Sequence, residues 1–168
     1  MYAPMQTRTT APPPTVQAAA PRPKILLVED NPVDIDLTRR AFKRRSLLSP
    51  LEIARDGEDA LARISSWERG QPVPAVILLD LKLPRVDGLE VLRRIRAHPR
   101  FGTLAVVVLT SSSETNDVRA AYAAGASSYI VKPIDFDRFV AVCQEIERYW
   151  GEINLPPVIA PEAGPPES

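Results

Sequence analysis

The chain has 168 residues, and its 21 basic and 21 acidic side chains give a formal net charge of zero. A nucleic-acid-binding surface usually brings a basic excess, and the total shows none. The single cysteine, Cys143, excludes an internal disulfide, no stretch is long enough to span a bilayer, and Pro4, Thr7, Arg8 and Thr9 interrupt any secretory-type apolar run, so the expectation is a soluble cytoplasmic protein that touches neither membrane nor nucleic acid.

Residues 1–23 carry Pro4, Pro12, Pro13, Pro14, Pro21 and Pro23 among small and polar residues. Without apolar periodicity such a segment cannot bury enough surface to offset its ordering entropy, so it reads as a flexible tail. The first strand is expected at Ile25-Leu26-Leu27-Val28. Asn31 then suits an N-cap and Pro32 the first helical position, with Val33, Leu37 and Ala41 following at four-residue spacing. Leu51-Glu52-Ile53-Ala54 partly alternates, which fits a strand at a sheet edge. Asp56 opens a second helix, with Ala60, Leu61 and Ile64 inward and its end near Gly70.

A third strand is expected at Val76-Ile77-Leu78-Leu79. The helix after it places Val91, Leu92 and Ile95 on one side and leaves Arg93, Arg94 and Arg96 to solvent. His98, the one histidine, precedes Pro99 at that helix end and reads as a solvated surface residue. The fourth strand is expected over Leu104–Leu109, and Ser111 to Glu114 has capping-box spacing for a helix that Gly125 can close. Tyr129-Ile130-Val131 is the fifth strand. Phe136, Phe139, Cys143, Ile146 and Trp150 line the last helix, with Cys143 a buried small hydrophobe. Pro156, Pro157, Pro161, Pro165 and Pro166 mark a second tail.

The organisation is therefore a tail (1–23), one domain (24–150) and a C-terminal extension and tail (151–168). Five alternating strands and helices with right-handed crossovers give a doubly wound parallel sheet. An edge-like second strand selects the flavodoxin-like order 2-1-3-4-5, whose ligand site lies where the first and third strands meet.

Four strands end in reactive side chains: Glu29-Asp30, Asp80, Thr110 and Lys132. Taken singly, each is an ordinary turn, cap or surface residue. Their meeting at one edge of one sheet is what points to chemistry. Three carboxylates repel one another unless a cation compensates, and hard oxygen donors of this kind suit Mg²⁺. A carboxylate can also serve as the nucleophile that forms an aspartyl phosphate. Lys132 offers positive charge and Thr110 a hydroxyl to phosphoryl oxygens, and phosphoryl transfer needs mainly positioning and charge neutralisation.

These residues resemble the receiver domain of two-component response regulators. The matching segments are Ile25 to Asn31, Leu79-Asp80-Leu81-Lys82-Leu83-Pro84 with Asp87-Gly88, Leu109-Thr110-Ser111, and Tyr129-Ile130-Val131-Lys132-Pro133. The resemblance implies that Asp80 accepts phosphate from a histidine kinase. It implies that Asp30 binds Mg²⁺ directly, that Glu29 helps, often through water, and that the backbone carbonyl of Lys82 completes the protein's share of the shell. It further implies that Lys132 pairs with the phosphoryl group, that Thr110 swings toward it, that Tyr129 rotates inward, and that Lys132-Pro133 is a cis peptide bond. Lys82, second after the phosphoacceptor, is a less usual choice and should change the phosphoryl lifetime.

A narrower resemblance is to the small response regulators paired with bacterial phytochromes, carried by Asn31-Pro32-Val33-Asp34-Ile35 and by Glu145 to Trp150 followed by Asn154-Leu155-Pro156. That group implies a lone receiver, often dimeric. With 18 residues after Trp150, no output module is expected to follow, and signalling would run through protein contacts. A flavin-binding module is disfavoured because Glu29-Asp30 would repel the flavin phosphate. An aspartate-based phosphatase, and with it an enzyme, is disfavoured because Lys82 stands where its second aspartate belongs. The alternative that remains is a phosphorylation-independent adaptor of the same shape.

Overall fold

The computed structural model describes residues 22–159 apart from 45, 46 and 48; the expected N-terminal tail up to 21 and the last nine residues lie outside the described residues. Five parallel strands, β1 (Ile25–Val28), β2 (Leu51–Ala54), β3 (Val76–Leu79), β4 (Ala105–Thr110) and β5 (Ser128–Val131), form one sheet in the order β2-β1-β3-β4-β5. The helices between them are α1 (Pro32–Arg44), α2 (Gly57–Glu68), α3 (Gly88–Ala97), α4 (Thr115–Ala123) and α5 (Phe136–Arg148). This is the flavodoxin-like fold that the apolar runs predict.

The unbroken apolar strands are explained by two cores. Side chains alternate across a strand, so Leu26, Val28, Ile77, Leu79 and Val106 meet Trp67, Val91, Leu92, Ile95 and Phe101 on the α2/α3 side. Ile25, Leu27, Val76, Leu78, Val107 and Leu109 meet Phe42, Phe139, Val140, Cys143 and Ile146 on the α1/α5 side. Every strand residue of β1, β3 and β4 is buried. At about 25 cal/mol per Å² of apolar surface removed from water, these two layers are the main stabilising term.

Three helices start on aspartates that accept the backbone N–H three residues on: Asp56 from Asp59 and Asp87 from Glu90 at 2.8 Å, and Asp135 from Arg138 at 2.9 Å. Asn31 accepts from Val33 N–H at 2.9 Å, with Pro32 opening α1. The expected capping box at Ser111–Glu114 does not form. β4 runs through Thr110, so α4 starts only at Thr115, and Glu114 stands at the N-cap without a side-chain cap bond. Ser112 serves instead, accepting Glu114 N–H at 3.4 Å and donating to Asp117 Oδ2 at 2.5 Å. Gly125 closes α4 at φ +94°, a backbone conformation that L side chains rarely adopt.

Two expected surface residues are structural. Arg96 does not face solvent with Arg93 and Arg94. Its guanidinium donates to the carbonyls of Gly125 and Leu104 at 2.7 Å and of Gly102 at 3.1 Å, and burial lowers its pKa. It stands four residues after buried Leu92 and so shares that residue's face of α3. His98 stacks on Phe101 at 4.5 Å, its Nδ1 accepts the N–H groups of Arg100 (3.2 Å) and Phe101 (3.3 Å), and its Nε2 meets Glu68 at 3.0 Å.

After α5 the chain makes one π-helical turn (Tyr149–Ile153) and continues extended. Residues 156–159 belong to the segment expected to be a free tail, yet Ile159 packs against the α2/α3-side core. A single apolar side chain suffices for that contact, without the periodicity that a helix or strand would show. Buried Glu147 accepts from Ser49 Oγ at 3.0 Å and pairs with Arg22 at 3.7 Å, while Arg22 also pairs with Glu152.

Candidate functional site at the carboxyl ends of the strands

The sheet ladder continues one residue beyond the strands and fixes the backbone under the site. Glu29 N–H donates to Ala54 O at 3.0 Å, Asp80 N–H to Val28 O at 3.1 Å, and Lys132 N–H to Thr110 O at 2.8 Å. Because β1 lies beside β3, Glu29, Asp30 and Asp80 converge: each offers a carboxylate oxygen, and these lie within 4.8 Å of one another. Glu29 and Asp80 are buried, whereas Asp30 is exposed. The loop after Asp80 is pinned from below by Gly88, whose N–H donates to Leu81 O at 3.0 Å. A Cβ on Gly88 would collide with the Asp80 carbonyl, so the α3 N-terminus approaches this closely only with glycine there.

Lys132 answers the negative charge from β5. Its Nζ lies 2.5 Å from Glu29 Oε2, 2.8 Å from Asp34 Oδ2 and 3.7 Å from Asp80 Oδ2. Burial pulls the Lys132 pKa down, but hydrogen bonds to Asp34 and Glu29 and the charges of Glu29 and Asp80 outweigh it, and the pKa ends raised. Burial pushes the Glu29 carboxyl up, only partly offset by Lys132 and by the Asn31 N–H it accepts. Glu29, Asp34 and Asp80 thus share one ammonium while Asp30 adds a further carboxylate beside them, and this edge keeps an excess of negative charge. Hard oxygen donors at this separation fit a divalent cation such as Mg²⁺.

Thr110 is fully buried at the end of β4. Its Oγ1 lies 3.5 Å from Ser112 N–H, and the Ser112 carbonyl accepts the Tyr129 hydroxyl at 2.9 Å. Burial raises the Tyr129 pKa, as do the nearby charges of Asp117, Asp80 and Glu114, against the lowering effect of its hydrogen bond to Ser112. Thr110, Ser112 and Tyr129 therefore form one chain of contacts at the end of β4, and Ser112 carries it on to Asp117 in α4. Lys82 is exposed at the rim, and its N–H lies 3.4 Å from Asp80 Oδ1.

All seven residues singled out from the sequence (Glu29, Asp30, Asp80, Lys82, Thr110, Tyr129 and Lys132) lie at this edge or on the strand beside it. The peptide before Pro133 is trans, as are all others among the described residues, so the expected cis bond is not formed. Trans is the lower-energy isomer even before proline, by about 0.5–1 kcal/mol. Sequence reasoning missed Asp34 as a site residue; an acidic residue in a helix's first turn reads as a favourable charge at the macrodipole, and only the fold brings it to Lys132. It also missed the Ser112–Asp117 bond, whose signal was the serine run Ser111-Ser112-Ser113 before α4.

Residues 25–144 match the family model described as the response regulator receiver domain. The probable methanogenesis regulatory protein FilR2 of Methanothrix harundinacea is 42% identical over 134 residues, covering 79% of this chain and 86% of that protein. The response regulator Rcp1 of Synechocystis sp. is 38% identical over 135 residues, covering 79% of this chain and 92% of that protein. The crystal structure of its Mn²⁺-bound form superposes with a TM-score of 0.72 at 36% identity, covering 81% of this chain and 99% of that one. The phosphorylated cyanobacterial phytochrome response regulator RcpA superposes with a TM-score of 0.74 at 32% identity, with the same coverage.

Proposed function

The chain belongs to the response regulator receiver family, and from that premise we propose that it takes a phosphoryl group from a sensor histidine kinase onto Asp80 and signals through the protein contacts that change as a result. The observation that carries this reading is the placement of buried Asp80 among Glu29, Asp30 and Lys132, with carboxylate oxygens within 4.8 Å and an ammonium at 3.7 Å. In the reaction, an Asp80 Oδ attacks the phosphorus of a phosphohistidine. A P–O bond forms, the P–N bond breaks, and its electron pair stays on the imidazole nitrogen, which takes up a proton.

Lys132 pairs with the phosphoryl oxygens, and Thr110 donates its hydroxyl to one of them. Glu29, Asp30, Asp80 and the backbone carbonyl of Lys82 are the groups that would hold Mg²⁺. When bound, that ion supplies the charge neutralisation that three carboxylates and an incoming phosphoryl anion require. The Mn²⁺-bound form of Rcp1, a relative of similar fold, supports this assignment. Thr110 moving toward the phosphoryl group would pull on the Ser112 backbone, and Tyr129, bonded to the Ser112 carbonyl, would follow as the switch.

A phytochrome-type kinase is the proposed donor, on the likeness to RcpA and Rcp1. A donor charged from ATP puts the encounter in the cytoplasm. The receiver would act as a lone domain of residues 24–150, with residues 1–23 and 151–168 as its tail and extension. It would act as a homodimer: the apolar side chains of Tyr149, Ile153, Leu155 and Val158, exposed beyond α5, support a second copy as partner.

Intact-protein mass after incubation with acetyl phosphate and Mg²⁺ tests the reading. Wild type gains one phosphoryl group, and Asp80→Asn gains none. Failure of wild type to gain it, from acetyl phosphate or from labelled histidine kinases, would leave the phosphorylation-independent adaptor.

A further inference from the structure

Lys132 has more carboxylate neighbours than phosphoryl transfer needs, and the two nearest are not the nucleophile. Its Nζ is 2.5 Å from Glu29 Oε2 and 2.8 Å from Asp34 Oδ2, against 3.7 Å from Asp80 Oδ2. Glu29 belongs to the acidic pocket. Asp34 does not: it comes from the first turn of α1, and no step described above uses it. We propose that Asp34 is a positioning residue that holds the Lys132 ammonium back from Asp80 and thereby limits the rate at which Asp80 is loaded; this rests on the phosphoacceptor reading.

The surroundings make the arrangement a definite one. The α1 start is set by Asn31 and Pro32, and the Asp34 carbonyl accepts the Thr38 hydroxyl at 2.8 Å, so the turn bearing Asp34 is anchored. The backbone of Lys132 is held by its N–H bond to Thr110 O. The lysine side chain is left to shift among Glu29, Asp34 and Asp80. The Lys132 side chain is 11% exposed and that of Asp34 31%, so the pair is neither buried deeply enough to be permanent nor solvated enough to be negligible. Removing the Asp34 charge leaves Glu29 as the one carboxylate among the described residues nearer to the ammonium than Asp80, so Lys132 is freer to reach Asp80, and it removes a competitor of the incoming phosphoryl anion for the same ammonium.

The experiment is the loading rate with acetyl phosphate and Mg²⁺, followed by intact mass, for wild type, Asp34→Asn, Asp34→Glu and Asp36→Asn. Asp36 lies on the same helix and pairs with Arg40 at 2.7 Å, so its variant removes the same charge away from Lys132. Asp34→Asn should load about two- to five-fold faster, the range set by a partly exposed ion pair. Asp34→Glu should fall back toward wild type, and Asp36→Asn should match wild type. The Lys132 ammonium resonance should shift in Asp34→Asn alone, which mere loss of helix stability would not produce. A wild type that loads while Asp34→Asn loads at the same rate, or only as Asp36→Asn does, overturns the role of Asp34 alone. A wild type that takes no phosphoryl group overturns the phosphoacceptor reading and this proposal together.

Discussion

The two edges of the sheet treat charge in opposite ways. At the amino-terminal edge, ions are consumed by the fold. Arg96 is spread over the carbonyls of Gly102, Leu104 and Gly125, ahead of β4 and β5, and Glu147 is held by Ser49 and Arg22, ahead of β2 and β1. At the carboxyl edge, Glu29, Asp34 and Asp80 face one lysine, and Asp30 adds a carboxylate beside Glu29 and Asp80. Buried charge stabilises only when it is matched, so the first edge can hold the domain together while the second keeps a negative surplus that a cation can resolve. Chemistry is placed where the fold leaves charge unmatched.

The contrast can be broken from the structural side with the largest expected effect. Arg96→Met leaves three carbonyls short of a charged donor and should lower urea-unfolding stability by about 3 kcal/mol, with phosphoryl loading unchanged in the folded protein. Full stability in that variant, or loss of loading in its folded form, would dissolve the division of labour between the edges.

Between the edges lies Cys143, fully buried on α5, where burial pushes its thiol up from an ordinary 9.0 to about 12. A folded-state pKa above the unfolded one means that the contribution to stability is full below pH about 9 and is lost as pH climbs toward about 12. Urea midpoints measured from pH 8 upward should therefore fall more steeply in wild type than in Cys143→Ala; parallel curves would show that the thiol does not titrate as a buried group.

At the functional edge the smallest expected effect belongs to Lys82, which is exposed at the rim. Lys82→Asn should alter the half-life of the phosphoryl adduct by a few-fold while leaving stability within about 0.5 kcal/mol of wild type. Equal half-lives would remove Lys82 from the site.

Much of this was legible in the chain, for physical reasons that also mark where legibility ends. Ile25–Val28 and Val76–Leu79 could be read as doubly covered parallel strands because both alternating faces are apolar. Asp80 and Lys132 could be placed because a strand end is a fixed address in a parallel sheet. Arg96 was not legible: arginines at 93, 94 and 96 look alike, and only 96 shares a helix face with Leu92. Asp34 was not legible because its partner lies 98 residues away, just beyond β5. Ile159 was hidden because one buried side chain leaves no periodic trace.

Urea unfolding of wild type and Asp30→Asn, each with and without Mg²⁺, tests the central claim most directly. Asp30 is exposed and belongs to the acidic surplus. Without Mg²⁺ the variant should be at least as stable as wild type, because repulsion is relieved. Mg²⁺ should then stabilise wild type strongly and the variant little, since a ligand that binds only the native state stabilises in proportion to its affinity. A variant that is less stable without Mg²⁺ and gains as much from it as wild type would contradict the account.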